Sequence, residues 1–225
     1  MPELNTPTES IEITYLGHSS LLIEVRTPSG HGTRILLDPG NLTPPLEKLA
    51  PVDAVLITHS HPDHLDPAQI HRLTASGTVP VFGPADVEGE LRGTDTHVTV
   101  VESGAFQISG VPVTATRTAH ETLYPGVPLP ENLSYMIAGR VFVPGDALAL
   151  PTREVDVLLA PLAGPWMKLA DGVDFVRAVA PRTVIPIHDA GLAPAHRALH
   201  RAVVSSFAPE GTALKVLDQG WSLSC

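Results

Sequence analysis

The chain has 225 residues, 43% of them hydrophobic, which is enough for one full core and near the size at which a single core still serves. A formal net charge of −10 repels polyanions at long range and argues against non-specific nucleic-acid binding. The one cysteine, Cys225, rules out an intrachain disulfide, no basic-then-apolar leader opens the chain, and no apolar run approaches the ~18 residues of a membrane helix. A cytoplasmic protein without a membrane or nucleic-acid partner is expected, and oligomeric state is left open.

Residues 1–10 are polar and proline-bearing and read as a loose tail ahead of a single domain over residues 11–225. Residues 11–16 and 21–25 are short aliphatic runs on either side of Gly17-His18-Ser19-Ser20. Residues 29–32 read as a turn and 34–38 as the next strand, which makes an antiparallel meander. Residues 54–58 form a near-continuous apolar run, the mark of a strand buried on both faces, and it ends abruptly in a histidine-rich loop. Asp66 as N-cap and Pro67 at the first helical position predict a helix to residue 75, followed by a strand over 79–82.

The middle third predicts strands over 97–101, 105–108 and 111–118, with Ser109-Gly110 as a hairpin turn. Residues 124–130 carry three prolines and one glycine and read as a loop; strands over 133–137 and 140–143 follow, joined at Ala138-Gly139. The last third alternates a strand over 155–160, a helix over 173–179, a strand over 183–187, a helix over 195–207 and a strand over 214–217. Strand-rich halves with helices at their outer edges predict an α/β fold, a four-layer αβ/βα sandwich of two mixed β-sheets with helices outside both.

The stretch His59-Ser60-His61-Pro62-Asp63-His64 places three histidines and an aspartate within six residues, directly after a buried strand. Imidazole nitrogen and carboxylate oxygen are the ligands that zinc and its neighbours prefer in a non-redox site. In a loop leaving a rigid strand, His59 and His61 can turn toward one point, and Asp63 and His64 toward a second close by. No G-x-S-x-G appears, so a covalent acyl-enzyme is not implied. His196 and His200 stand four apart on a predicted helix, but without a glutamate at position 197 they read as a solvated face.

The same stretch matches the HxHxDH signature of the metallo-β-lactamase superfamily, and the rest of that pattern follows in order. Asp38 in Leu36-Leu37-Asp38-Pro39-Gly40, His120 after Thr118-Ala119, Asp146 in Val143-Pro144-Gly145-Asp146 and His188 in Ile185-Pro186-Ile187-His188 complete the resemblance over residues 11 to about 223. It implies two divalent metal ions, one held by His59, His61 and His120, the other by Asp63, His64 and His188, with Asp146 bridging both. Zinc suits this His/Asp set, and manganese or iron would also fit. Asp63, Asp146 and Asp38 are the carboxylates expected in catalysis, Asp38 by orienting a ligand rather than by touching metal.

Tyr15-Leu16-Gly17-His18-Ser19-Ser20-Leu21-Leu22-Ile23-Glu24 resembles the opening strand pair of the branch that contains ascorbate-6-phosphate lactonase-like proteins, and the phospholipase D acting on N-acyl-phosphatidylethanolamine begins similarly. His18 is a turn residue by default and a site-rim residue by this resemblance. Glu121 is catalytic or merely exposed; Trp166 and Met167 are read as core in preference to a substrate pocket. The resemblance implies a hydrolase of a small ester, lactone or phosphodiester. The alternatives are a nuclease acting on RNA or DNA and a non-catalytic metal-binding regulatory protein. The related flavo-diiron proteins resemble this pattern with a glutamate where His61 stands, and carry a flavin domain that this chain does not have.

Overall fold

The computed structural model describes residues 9–27, 30, 32–74 and 79–225; most of the expected tail, and Ser29 and His31 of the expected turn, lie outside them. The chain opens with β1 (Ser10–Gly17), β2 (Ser20–Arg26), β3 (Gly32–Leu37) and β4 (Ala54–Leu56), then α1 (Pro67–Thr74), β5 (Val81–Gly83), α2 (Ala85–Glu90) and β6 (Val98–Val100). The second half runs β7 (Gly104–Ile108), β8 (Val111–Thr118), β9 (Asn132–Ile137), β10 (Val141–Val143), β11 (Val157–Pro161), α3 (Leu169–Val179), β12 (Thr183–Ile187), α4 (Pro194–Phe207), β13 (Ala213–Leu214) and β14 (Ser222–Ser224).

Two mixed seven-stranded sheets result, ordered β14-β1-β2-β3-β4-β5-β6 and β13-β12-β11-β10-β9-β8-β7. Alternation along the strands assigns each side chain to a layer. Leu21, Ile23 and Val25 of β2 and Ile35 and Leu37 of β3 join Val113, Leu133, Tyr135, Val157 and Leu159 in the core between the sheets. Their sequence neighbours Leu22 and Leu36 face outward and pack with Ile70 and Val87 of the first helical layer. Leu158 and Ala160 of β11 face the other way, onto Phe175, Val176 and Val204 of α3 and α4. The expected four-layer sandwich of two mixed sheets with outer helices is the observed fold.

Several boundaries differ. β1 begins at Ser10, inside the stretch read as tail, because the chain is already paired there with Arg26. α2 was not expected: it has six residues, a glycine among them, and buries only Val87. α3 starts at Leu169 rather than 173; Gly172 weakens the helix signal of that first turn, yet the Asp171 carboxylate caps it by accepting the Lys168 N–H at 2.6 Å. β14 pairs antiparallel with β1, Thr14 opposite Ser222, and its serines carry little strand propensity of their own. β13 stops at Leu214, short of the expected residue 217.

The sheets are tied together next to the histidine loop. Tyr135, fully buried in the central core, donates its hydroxyl to the Ile57 carbonyl at 2.8 Å, and the Leu133 N–H donates to the Thr58 carbonyl at 2.8 Å. These contacts cross from β9 to the end of β4 and fix where His59 leaves the first sheet. Tyr135→Phe strands a buried carbonyl, so it should lower unfolding free energy by about 1–3 kcal/mol in a denaturant titration, with an unchanged slope.

Candidate metal centre

The motif residues sit at one end of the sandwich, just beyond strand ends. Asp38 follows β3, the 59–64 loop follows β4, His120 follows β8, Asp146 follows β10 and His188 follows β12. His18 stands in the tight turn between β1 and β2. Rigid strands thus deliver side chains from both sheets to one place, while the intervening loops remain free to vary.

Two groups form there. One ligand atom each from His59, His61, His120 and Asp146 lie within 4.8 Å of one another, and so do those of His18, Asp63, His64 and His188. The Asp146 carboxylate lies between the groups. Its Oδ2 is 3.2 Å from His188 Nε2, 3.5 Å from His120 Nε2 and 3.8 Å from His59 Nε2, and its Oδ1 is 3.3 Å from His64 Nε2. Despite this crowding, the Nε2 atoms of His59, His64, His120 and His188 and Oδ1 of Asp146 are buried and make no hydrogen bond. Buried polar atoms are rarely left so, and five converging on one spot fit a cation that would complete them.

The outer nitrogens explain why the inner ones point inward. His64 Nδ1 donates to Asp38 Oδ2 at 2.8 Å, His120 Nδ1 to the Glu121 carbonyl at 2.7 Å and His188 Nδ1 to the Ala163 carbonyl at 2.5 Å. His59 Nδ1 donates to Thr58 Oγ1 at 3.0 Å, whose own proton goes to Asp38 Oδ2 at 2.7 Å. With Nδ1 protonated against an acceptor, the lone pair of each neutral ring lies on Nε2. Asp38 is therefore placed behind His64, bonded also to the Thr58 N–H at 2.8 Å.

Burial, reinforced by neighbouring histidines, pushes His59 well below its ordinary range and lowers His61 as well. Burial opposes ionisation of Asp63 and Asp146. Contacts from His18 and His188 override it at Asp63; His64, His120 and His188 override it at Asp146, and both carboxyls are held well below the usual range. His64 moves the other way: burial disfavours its charge, but Asp146 and Asp38 raise it well above normal. His188 is raised to about 9 by Asp146 and Asp63 against the same burial.

The beta-lactamase superfamily domain model matches residues 12–188. The chain belongs to the metallo-β-lactamase superfamily. It is 35% identical to Protein Rv0786c of Mycobacterium tuberculosis, over 84% of this chain and 89% of that one. It is 26% identical to a UPF0173 metal-dependent hydrolase of Thermoplasma acidophilum, over 80% and 84% of the two chains. Among solved structures, Igni18, a metallo hydrolase of Ignicoccus hospitalis, shares the fold with a TM-score of 0.68 at 20% identity, over 96% and 98% of the chains.

The sequence reading caught the roles of some residues in this superfamily site only in part or not at all. His18, expected in a turn and, by resemblance, at the rim of the site, stands in the β1–β2 turn, is only 3% exposed and contacts Asp63. Trp166 was read as core, but it is half-buried and donates its indole N–H to Asp146 Oδ2 at 3.0 Å. That misreading followed from treating an aromatic after Gly164-Pro165 as apolar bulk, although a tryptophan N–H needs an acceptor. Thr58 and Asn132 are further missed parts, Asn132 Oδ1 accepting the Asp146 N–H at 3.2 Å. Glu121 is held by its backbone and accepts the Leu148 N–H at 3.3 Å. His200 donates to the Leu162 carbonyl at 2.9 Å, and neither it nor His196 belongs to either group.

The raised His64 and His188 predict how ions bind. Each carries a proton at pH 7 in the ion-free protein, and a cation must displace it, so affinity weakens as pH falls from about 9. Calorimetric titration of zinc at pH 7 in two buffers of different ionisation enthalpy should report release of about one to two protons per chain.

Proposed function

We propose that this protein is a two-ion hydrolase of a small ester, lactone or phosphodiester. The observation that carries the reading is the set of five buried, unpartnered donor atoms on His59, His64, His120, His188 and Asp146, each imidazole fixed from behind through Nδ1. His59, His61, His120 and Asp146 would hold one ion, and Asp63, His64, His188 and Asp146 the other, with zinc the best match to the donor set. Divalent ions bound there supply Lewis acidity, lowering the pKa of water and countering negative charge that develops on the attacked group. The names of relatives such as the Thermoplasma acidophilum protein support hydrolysis.

The chain's own residues supply position and charge. His61 and Asp63 are the half-exposed members of the two groups, so a substrate approaches from their side. The Asp63 carboxyl is kept ionised by His18 and His188, so it serves as a charged ligand and not as a base. Trp166 donates to Asp146 and limits how that carboxylate can turn. The net charge of −10 leaves a long polyanion repelled outside the centre, whereas a small substrate needs only the centre itself. Among the described residues no helix is long and apolar enough to cross a membrane. A cytoplasmic setting fits the single terminal cysteine.

The test is a side-by-side panel of an activated phosphodiester, a small lactone and structured RNA with zinc- or manganese-loaded protein. Hydrolysis of a small substrate is expected, with Asp146→Ala lowering kcat/KM at least about a hundredfold because one ligand is lost to both ions. The exposed Asp95→Ala should match the parent. Salt-sensitive RNA cleavage beside inert small substrates would replace this reading with the nuclease.

A further inference from the structure

His18 lies close enough to be a fourth ligand of the second group, since one of its ring nitrogens is within 4.8 Å of ligand atoms of Asp63, His64 and His188. Its hydrogen bonds say otherwise. His59, His64, His120 and His188 each direct Nδ1 at an oxygen acceptor, so each ring, when neutral, keeps its lone pair on Nε2 for a metal. At His18 the partner of Nδ1 is a donor, the Ala190 N–H at 3.4 Å. An N–H cannot face a protonated nitrogen, so the lone pair is on Nδ1 and the proton on Nε2. That Nε2–H meets Asp63 Oδ2 at 3.1 Å. The reversed tautomer takes away the electron pair that a metal bond would need.

The backbone gives a second, independent reason to regard His18 as placed for a task. It holds φ +50 in the turn between β1 and β2, a left-handed conformation that costs a residue with a Cβ and that glycine adopts freely. The His18 carbonyl accepts the His188 N–H at 3.1 Å, so the segment following β12 holds this residue twice, its backbone from His188 and its ring from Ala190. The ring cannot flip without breaking its bonds to Ala190 and to Asp63.

We propose that His18 is not a metal ligand but a positioning residue, whose Nε2–H fixes the Asp63 carboxylate in the orientation from which Asp63 serves the second ion. The second ion is then held by Asp63, His64, His188 and Asp146 alone, and Asp63 is the one ligand whose orientation depends on a neutral donor at the β1–β2 turn. This rests on the two-ion reading of the centre for its consequence, but the tautomer itself does not.

Two measurements test it. The first is long-range proton–nitrogen NMR of the histidine rings in 15N-labelled protein, ion-free and zinc-loaded, with His18 assigned by the signals missing from His18→Leu. The expected result is an Nε2–H tautomer for His18 in both states, while His59, His64, His120 and His188 show metal-shifted Nε2 on loading. A His18 ring with Nδ1–H, or with Nε2 shifted by zinc, overturns the proposal. If zinc shifts no ring at all, the two-ion reading fails, and the His18 tautomer in the ion-free protein still decides the inference.

The second measurement is zinc affinity by calorimetry for His18→Leu and His18→Gln. Leucine cannot donate, and the second ion should bind about tenfold to a hundredfold more weakly, the usual cost of losing a partner behind a ligand. Glutamine offers an N–H at similar reach and should recover most of that loss, with the first ion unaffected in both variants. Unchanged second-ion affinity in folded His18→Leu, or no recovery with glutamine, overturns the positioning role. Should the leucine variant not fold, His18→Gln supplies the assignment and the NMR result on the parent protein stands as the test.

Discussion

A carboxylate taken out of water is costly unless its lone pairs are met, and Asp38, 1% exposed, meets this constraint with three donors. They are the Thr58 N–H, the Thr58 hydroxyl and the His64 ring N–H. Because the Thr58 hydroxyl spends its proton on Asp38, its oxygen is left to accept from His59. One buried charge thereby orients a histidine of each group, and the two rings stand with centroids 4.0 Å apart. The ends of β3 and β4 and both limbs of the histidine loop are fixed to one point, and the rest of the centre is built against it.

The backbone is strained at the places where strands must turn side chains inward. His18, Asp38 and His188 all adopt positive φ, at +50, +40 and +56, conformations worth of order 1–3 kcal/mol each in a residue with a Cβ. At two positions near the centre only glycine fits. A Cβ on Gly40 would stand 1.9 Å from the Asp63 carbonyl oxygen, and one on Gly145, itself at φ +65, would stand 2.3 Å from Asn132 Oδ1. Close approach of the Asp38 turn to the histidine loop therefore depends on Gly40, just as the aim of Asp146 depends on Gly145.

The layers and most strands were legible because the apolar pattern is a direct record of burial: the 54–58 run faces core on both sides, and the 111–118 stretch alternates as a half-covered strand should. β14 was not, since its serines become a strand only by pairing with β1 at the far end of the chain. In the same way the chemistry of His59, His61, Asp63 and His64 was legible from local crowding. His120, Asp146 and His188 needed the order of a family pattern, because nothing local distinguishes a lone histidine at a strand end from a satisfied core residue. His18 was placed only as a turn and rim residue, and Trp166 as core. Their roles lie in single hydrogen bonds, to Asp63 and to Asp146, made by residues 45 and 20 positions away.

The centre is divided between the sheets. The first supplies His18, Asp38 and the 59–64 loop, the second His120, Asp146 and His188, and each ion group draws on both. Ions bound across such a seam add their binding energy to the packing of one sheet on the other. They need not create that packing, since the apolar core between the sheets and the Tyr135–Ile57 bond already hold it. The contrast is with small metal domains, whose ligands come together only when the ion arrives. Here the ligands are pre-assembled, and the cost falls on the ion-free protein, which must keep imidazoles and carboxylates crowded and partly unpartnered. Protons on His64 and His188 relieve part of that cost by standing where cations would, and an ion that displaces them enters a site already shaped to receive it.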